Sequence, residues 1–364
     1  MHELLAIFHC LQRQLLPACE EELGPLDATD RQFVAVVGAL RFGPLLRPYD
    51  WCGNGAKPHP RVWLAHAFIA KSVYQFPTTA ALIAALRSRP TLRRLCGWES
   101  AREVPSEPTF SRAFDAFARS ELPQRLHAEL ITRHAGPKLV GHLSRDATAI
   151  EVAERQTHFP SPPPPKPRGK PGRPKQGEVR PAPPPKRLDL QVARPLAENL
   201  RELPRHCDIG FKRDAKGLHN SWRGYKLHLD CADGDVPVSA VLTSASLHDS
   251  QVAIPLAQMS AQRVTSLYDL MDGAYDAPQI ERFSRQLGHV PIIAPNRRSG
   301  PPRELERARK ERLHERGSCE RVAGLLKQRY GGRWVRVRGA AKVMCHLMFG
   351  LIALSASALY ARLC

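Results

Sequence analysis

Hydrophobic positions in the first 135 residues recur at helical spacing. Phe68, Ile69 and Val73 share one face of a predicted helix, and Phe110 and Phe114 share one face of a later helix. This pattern predicts an all-helical domain over residues 1–135. Two interpretations of its role stay open, a helix-turn-helix-like DNA-binding region or a plain bundle packed on the next domain, because aromatic stripes usually mark a core.

Beyond residue 135 the pattern changes to short apolar runs and alternation, which are typical of strands. Tyr225 and Leu227 alternate with Lys226 and His228, for example. Helices are predicted over residues 277–286 and 305–330, so the second part of the chain is α/β. The five predicted strands cover residues 139–146, 222–229, 236–242, 266–271 and 289–294.

A proline-rich segment interrupts this α/β domain, which is predicted over residues 136–364. Residues 160–187 hold 12 prolines and eight Lys or Arg residues but one acid, so the segment has little apolar area to bury. We expect a disordered insert at about residues 157–205. Within it, the Gly-Arg-Pro around Arg173 is similar to an AT-hook core, and the alternative is a basic linker that contacts phosphates only.

Composition adds a class of binding partner to this outline. The chain has 54 Lys and Arg against 35 Asp and Glu, a net charge of +19, which is typical of proteins attracted to nucleic acid. The nine cysteines show no CxxC spacing and no signal peptide is apparent, which favours free thiols in the cytoplasm. The apolar stretch 343–360 is short for a membrane span, so we expect a core helix and no membrane.

Two aspartates are candidates for a metal site because each is predicted to end a strand. Asp146 follows the run 138–145, and Asp272 follows 267–271 just before a Gly-Ala-Tyr turn. Carboxylates of neighbouring strand ends can share Mg²⁺, which prefers hard oxygen ligands. Asp269 and Asp276 are the rivals to Asp272, one predicted within the strand and one beyond the turn.

A third acid lies in the predicted helix 305–330. Leu313, Arg316, Glu320 and Lys327 stand at offsets 0, 3, 7 and 14, which places them on one helix face. Glu320 could complete a metal site while Arg316 and Lys327 hold phosphates. The alternative is an ordinary amphipathic basic helix, and Glu315 is the rival acid, although it faces away from the two cations.

These motifs, in this order, resemble the DDE transposases of bacterial insertion sequences. The resemblance runs from about residue 62 to the end, and Leu313 stands where the family's Tyr-Arg-Glu-Lys signature has tyrosine. The matching segments are SRDAT (144–148), GYKLH (224–228), ASLHDS (245–250), DGAYD (272–276), ERVAGLLK (320–327) and VRGAAKVMCHL (337–347).

The resemblance implies a ribonuclease H-like fold with a mixed five-stranded sheet flanked by helices. Asp146, Asp272 and Glu320 are then the catalytic and metal-binding residues, with two Mg²⁺ ions, or Mn²⁺ as a substitute. The expected activity is cleavage of DNA at the terminal inverted repeats and transfer of the 3′-hydroxyl to target DNA. The DNA-binding residues are predicted to be Arg316, Lys327, Lys226 and Arg173.

The expected partner is double-stranded DNA, both element ends and target, bound by a homo-oligomer in the cytoplasm at the bacterial nucleoid. Lys226 and Arg223 are open between DNA contacts and solvated strand positions, and His228 and His248 are interpreted as structural. Two other functions remain alternatives. One is a repressor or architectural DNA-binding protein whose catalytic domain is unused, and the other is a nuclease that hydrolyses without joining.

Overall fold

A computed structural model describes residues 2–49, 51–55, 57–157, 185–213, 219–296 and 304–362. Arg173 and the AT-hook-like segment lie outside the described residues. Residues 185–205, the last part of the predicted disordered insert, instead contain two short helices, α10 (Arg187–Gln191) and α11 (Leu196–Arg201). These helices are held by buried side chains, because Leu188 packs in an apolar cluster and Asn199 donates to the carbonyl of Gln191.

The N-terminal region is helical, as its periodicity predicts. The side chain of Thr78 caps one of its helices by accepting from the backbone NH of Ala81. A π-helical turn at Leu11–Leu15 and a 3₁₀ turn at Arg47–Tyr49 join neighbouring segments. The helices are α1 (His2–Cys10), α2 (Leu16–Leu23), α3 (Ala28–Gly38), α4 (Gly43–Leu46), α5 (Arg61–Val73), α6 (Thr79–Ser88), α7 (Pro90–Cys96), α8 (Glu107–Arg119) and α9 (Leu122–His134).

Six strands of the described residues form one mixed sheet. β1 is antiparallel to β3 and parallel to β5, which is in turn parallel to β6. The long β3 pairs with β2 along its first half and with β4 along its second half. The strands are β1 (Leu139–Glu151), β2 (Asp208–Arg213), β3 (His219–Ala232), β4 (Val236–Ser244), β5 (Thr265–Met271) and β6 (Val290–Ile293).

Helices flank this sheet, so the predicted α/β class with a mixed sheet and a helical N-terminal region is confirmed. Two details differ from the prediction: β2 is an additional strand, and the helix predicted over 305–330 is interrupted by a 3₁₀ turn at His314–Arg316. The remaining helices are α12 (Ser250–Ala261), α13 (Pro278–Gln286), α14 (Arg307–Leu313), α15 (Gly317–Arg329) and α16 (Ala340–Ala361).

Helix α16 joins the two predicted domains through a shared core. It packs on α5, α8 and α9 as well as on β4. Its Phe349 stacks on Phe68 of α5 with a ring-centroid distance of 5.7 Å, and Phe114 and Phe117 lie beside it. The aromatic stripe of α8 is therefore core, whereas the division at residue 135 stays a prediction.

The same helix is long and apolar enough to cross a membrane by length and composition. However, 83% of its most apolar window is buried inside the protein. Its apolar surface is thus already covered by its own chain, as expected of a core helix.

Candidate active site

Asp146 and Asp272 lie at the same level, directly after the last paired residues of the β1–β5 ladder. The parallel ladder of β1 and β5 ends with Arg145 opposite Met271, and each aspartate is the next residue. Asp272 follows its strand as predicted, whereas Asp146 lies within β1, not at its end, because β1 continues to Glu151 by pairing with β3. The strand-end prediction was therefore wrong for Asp146, although the two residues still come together.

Backbone hydrogen bonds fix one oxygen of each aspartate. Asp146 Oδ1 accepts from the NH of Ala147 at 2.8 Å, and Asp272 Oδ1 accepts from the NH of Ala274 at 2.9 Å. The second bond caps the 3₁₀ turn Gly273–Tyr275. Each carboxylate therefore keeps one oxygen that the backbone does not occupy.

Helix α15 places Glu320 beside this pair. The helix is anchored to the sheet by Cys319, whose thiol donates to the carbonyl of Ser144, and by Ser318, whose hydroxyl donates to the carbonyl of Ala232. Glu320 itself points outward, and 59% of its side chain is exposed. The anchors lie one and two residues before Glu320, so its backbone position is fixed by contacts that do not involve its carboxylate.

Arg316 lies between two of the three predicted acids. Its guanidinium is 2.9 Å from Glu320 Oε1 and 3.7 Å from Asp146 Oδ2. The residue belongs to the 3₁₀ turn before α15, so the predicted four-residue stripe does not lie on one continuous helix. Arg316 therefore neutralises carboxylates in this structure, and its predicted phosphate contact stays a prediction.

Burial raises the pKa of the Asp146 carboxyl to about 6. The Ala147 NH opposes this shift, nearby Asp272 adds to it, and the cations Arg316 and Lys212 oppose it. The negative charges of Asp146 and Asp272 thus repel each other in a partly dry environment.

Such a pair fits a divalent cation, since hard carboxylate oxygens are what Mg²⁺ and Mn²⁺ bind. The third acid is not yet part of the group. Among the described residues, no three His, Cys, Asp or Glu side chains converge on one point. Glu320 is instead held by Arg316, whose guanidinium lies between the carboxylates of Glu320 and Asp146.

Two further cations border the site. Lys212 of β2 is exposed and close enough to affect the charge of Asp146. Lys327 of α15 is half-buried, and its pKa is lowered by burial and by Lys212, while Glu151 opposes the shift. Lys212 was missed in the sequence, although the alternation of Ile209 and Phe211 before it is a weak strand signal.

Lys226 has internal partners instead. Its ammonium is 2.8 Å from Asp249 Oδ1 and donates to the carbonyl of Leu247 at 2.8 Å, and only 14% of its side chain is exposed. The predicted DNA contact of Lys226 stays a prediction, as does that of Arg173.

The rival acids and the histidines have structural partners. Asp269 is buried and accepts from Ser284 and from His289. Asp276 is exposed and accepts from the backbone NH of Asn296. His228 is buried 2.9 Å from the Thr243 hydroxyl, and burial lowers its pKa to about 4, so the ring is neutral.

A buried ion pair beneath the site was also missed. Arg145 Nε and Nη2 each donate to Asp230 at 2.8 Å, and both side chains are almost fully buried. Arg145 also contacts the sulfur of Met271 at 3.4 Å. This pair therefore ties β3 to the residues that precede Asp146 and Asp272. The sequence signal is a charge, Asp230, between the apolar positions Leu229 and Cys231.

The raised pKa of Asp146 predicts a pH-dependent stability difference. A carboxyl whose pKa is higher in the folded than in the unfolded state favours folding at low pH, and this contribution is lost as pH rises through 6. Asp146→Asn should therefore gain stability relative to the wild type between pH 4 and pH 7, by about 2–3 kcal/mol. Urea unfolding of both proteins at several pH values measures this. A constant difference across the range would contradict it.

Two protein-family matches identify the chain. A transposase DDE domain matches residues 184–356, and a transposase domain (DUF772) matches residues 30–116. No curated protein and no solved structure matches the chain. The DDE-domain match contains Asp272 and Glu320. Asp146 lies in the stretch between the two matched regions.

The DDE domain implies a ribonuclease H-like fold, in agreement with the mixed sheet and its flanking helices. The chain belongs to the DDE transposases of insertion sequences, which are polynucleotidyl transferases and endonucleases acting on DNA. Enzymes of this family generally use a divalent metal.

Proposed function

We propose that this transposase binds the terminal inverted repeats of its own insertion sequence, cleaves the DNA there and joins the freed 3′-hydroxyl to target DNA. The observation that carries the proposal is the adjacent placement of Asp146 and Asp272 at the end of the β1–β5 ladder, with Glu320 on α15 beside them. The cytoplasm, where the DNA lies, is the proposed location, and a homo-oligomer that holds both ends is the proposed active form.

Asp146, Asp272 and Glu320 are the proposed catalytic residues and the ligands for two divalent metal ions, Mg²⁺ or Mn²⁺. When bound, such ions activate the attacking oxygen and stabilise the leaving oxygen. The two aspartates supply oxygens that the backbone has left unoccupied. Glu320 joins them by exchanging its ion pair with Arg316, which its exposed side chain permits.

Arg316 is released by the same exchange. Its charge then faces the phosphates of the DNA strand, together with the neighbouring Lys327 and Lys212. Phosphate contacts of this kind position the strand without reading its sequence. The Arg316 guanidinium, which neutralises Glu320 in the free protein, would thus neutralise a DNA phosphate in the complex.

The test is an assay of two products. The purified protein, with Mg²⁺ and a labelled duplex that carries the ends of the element in which its gene lies, should produce cut ends and strands joined to a target plasmid. Cut ends without joined strands would replace this proposal by a hydrolytic nuclease. Tight binding with neither product would replace it by a DNA-binding protein whose catalytic domain is unused.

Glu320→Gln tests the third acid. Removing this charge should reduce cleavage by about 100-fold, equivalent to roughly 3 kcal/mol of lost transition-state stabilisation. Glu315→Gln is the matched control, since Glu315 is also exposed. The Ser144 hydroxyl donates to the backbone carbonyl of Glu315, and the substitution keeps that contact. Gel-based cleavage rates measure both variants. Equal rates for the two would remove Glu320 from the active site.

A further inference from the structure

A cavity of about 410 Å³ lies between the N-terminal helices and the segment that leads into α16. Lys71 of α5 lines one side, and Arg336, Arg338 and Lys342 line the other. Apolar side chains make up much of the remaining lining. They include Phe68, Phe110, Phe114 and Phe349. The segment 336–342 contains the first six residues of the VRGAAKVMCHL motif (337–347), to which the proposed chemistry gives no role.

Positive charge dominates this cavity, because Glu107 is the one acid among its lining residues. The Lys342 ammonium forms an ion pair with Asp115 at 3.2 Å, and Arg338 donates to the backbone carbonyl of Ala153. Among the described residues, neither Lys71 nor Arg336 forms an ion pair with a carboxylate. The cavity therefore holds more cationic charge than the protein itself neutralises.

The excess of positive charge in the cavity is unfavourable for Lys71 in particular, because this residue is partly buried. Burial and, to a smaller extent, the positive charge of Arg336 together lower the pKa of its ammonium to about 8. His346, which also lines the cavity, adds no charge, because burial lowers its pKa to about 4. A partly buried cation with a like charge beside it is stabilised when an anion enters.

The cavity lies along the direction of β1 beyond the candidate active site. Val152, which follows β1, pairs with Val335, the residue before Arg336. Val152 is six residues past Asp146, roughly 20 Å along an extended strand. Lys327 lies close to Glu151, near the same end of β1. Positively charged side chains, Lys327 and then Arg336, therefore lie between the candidate active site and the cavity or line the cavity itself.

We propose that this basic cavity binds a backbone phosphate of the DNA duplex whose strand is cut at Asp146 and Asp272. This inference rests on the proposed function and adds a second contact to it. The Lys71 ammonium and the Arg336 guanidinium donate to the phosphate oxygens, and such charge-assisted bonds are the strong ones. The contact sets the register of the duplex on the protein, since a phosphate carries no sequence information.

Lys71→Met and Arg336→Gln test the cavity. Lys71→Met keeps an unbranched stem and removes the buried charge, so the variant should be at least as stable as the wild type on heating. Each variant should bind the element-end duplex about 10- to 100-fold more weakly, the range for a lost hydrogen bond to a charged group. The slope of log affinity against log salt should become shallower by about 0.9 for the lost phosphate contact.

Arg13→Gln is the matched control, because Arg13 is an exposed cation of the first helical segments, away from the cavity lining. Its affinity and salt slope should stay within twofold of the wild type. If Lys71→Met and Arg336→Gln behave like Arg13→Gln while the wild type still binds and cuts the duplex, the cavity proposal is wrong and the proposed function stands. A wild type that neither binds nor cuts the duplex would overturn both.

Discussion

Asp146→Asn and Asp272→Asn should each reduce DNA cleavage and strand joining at least ~10³-fold, which corresponds to a loss of about 4 kcal/mol of transition-state stabilisation. Asparagine keeps the shape of aspartate, and its carbonyl oxygen can still accept from Ala147 or Ala274. What is lost is the charge that would hold a divalent cation beside the scissile phosphate. Because the two acids act as one unit, the double variant should be hardly slower than either single variant.

The same variants should keep or improve their affinity for DNA, since each removes a negative charge that faces phosphates. Asp276→Asn is the matched control, because Asp276 is four residues from Asp272 but exposed and bonded to the backbone of Asn296. Cleavage rates by gel and affinities by fluorescence anisotropy separate the two effects. Cleavage by Asp146→Asn at the rate of Asp276→Asn would show that Asp146 is not part of the active site.

The position of Asp272 could be predicted from the sequence because its signals are local. An apolar run predicts β5, and Gly273 directly after Asp272 marks where the strand ends. The length of β1 could not be predicted in this way. The predicted strand stops at Asp146, but pairing with β3 through Glu151 extends it. Strand length there depends on a partner about 80 residues further along the chain.

The contacts of Glu320 also depend on distant residues. Helical spacing predicts that Arg316 and Glu320 are neighbours, and they are, at 2.9 Å. It does not predict that the same guanidinium reaches Asp146, because that contact requires α15 to be anchored on β1 through Cys319 and Ser144. The sequence therefore indicated which residues form the candidate site, while packing determines which charge neutralises which.

The C-terminal helix shows the same limit on a larger scale. Composition predicts that residues 343–360 are buried, and α16 is a core helix. Nothing in the local pattern predicts that its Phe349 packs on Phe68 of α5. Because this contact crosses the predicted boundary at residue 135, the N-terminal helices and the sheet bury their apolar surfaces against the same helix.

Asp230→Ala should destabilise the protein by about 3–5 kcal/mol, because it leaves the guanidinium of Arg145 buried without its counter-charge. Asp235→Asn is the matched control, because asparagine tolerates the positive φ of this position. Asp235 pairs with Arg321 at 2.8 Å, but on the surface, where such a pair contributes about 0–1 kcal/mol. Urea unfolding measures both. Similar losses in the two variants would mean that burial does not set the strength of the Arg145–Asp230 pair.

Replacing both partners distinguishes the cost of an unpaired charge from the net contribution of the pair. Arg145→Met combined with Asp230→Leu should be more stable than Asp230→Ala, since no buried charge remains unpaired. It should nevertheless cleave DNA more slowly than the wild type. Arg145 and Met271 directly precede the two aspartates proposed as catalytic, and the Arg145 guanidinium contacts both Met271 and Asp230 of β3. A double variant that regains both stability and wild-type cleavage would show that the pair does not position Asp146 and Asp272.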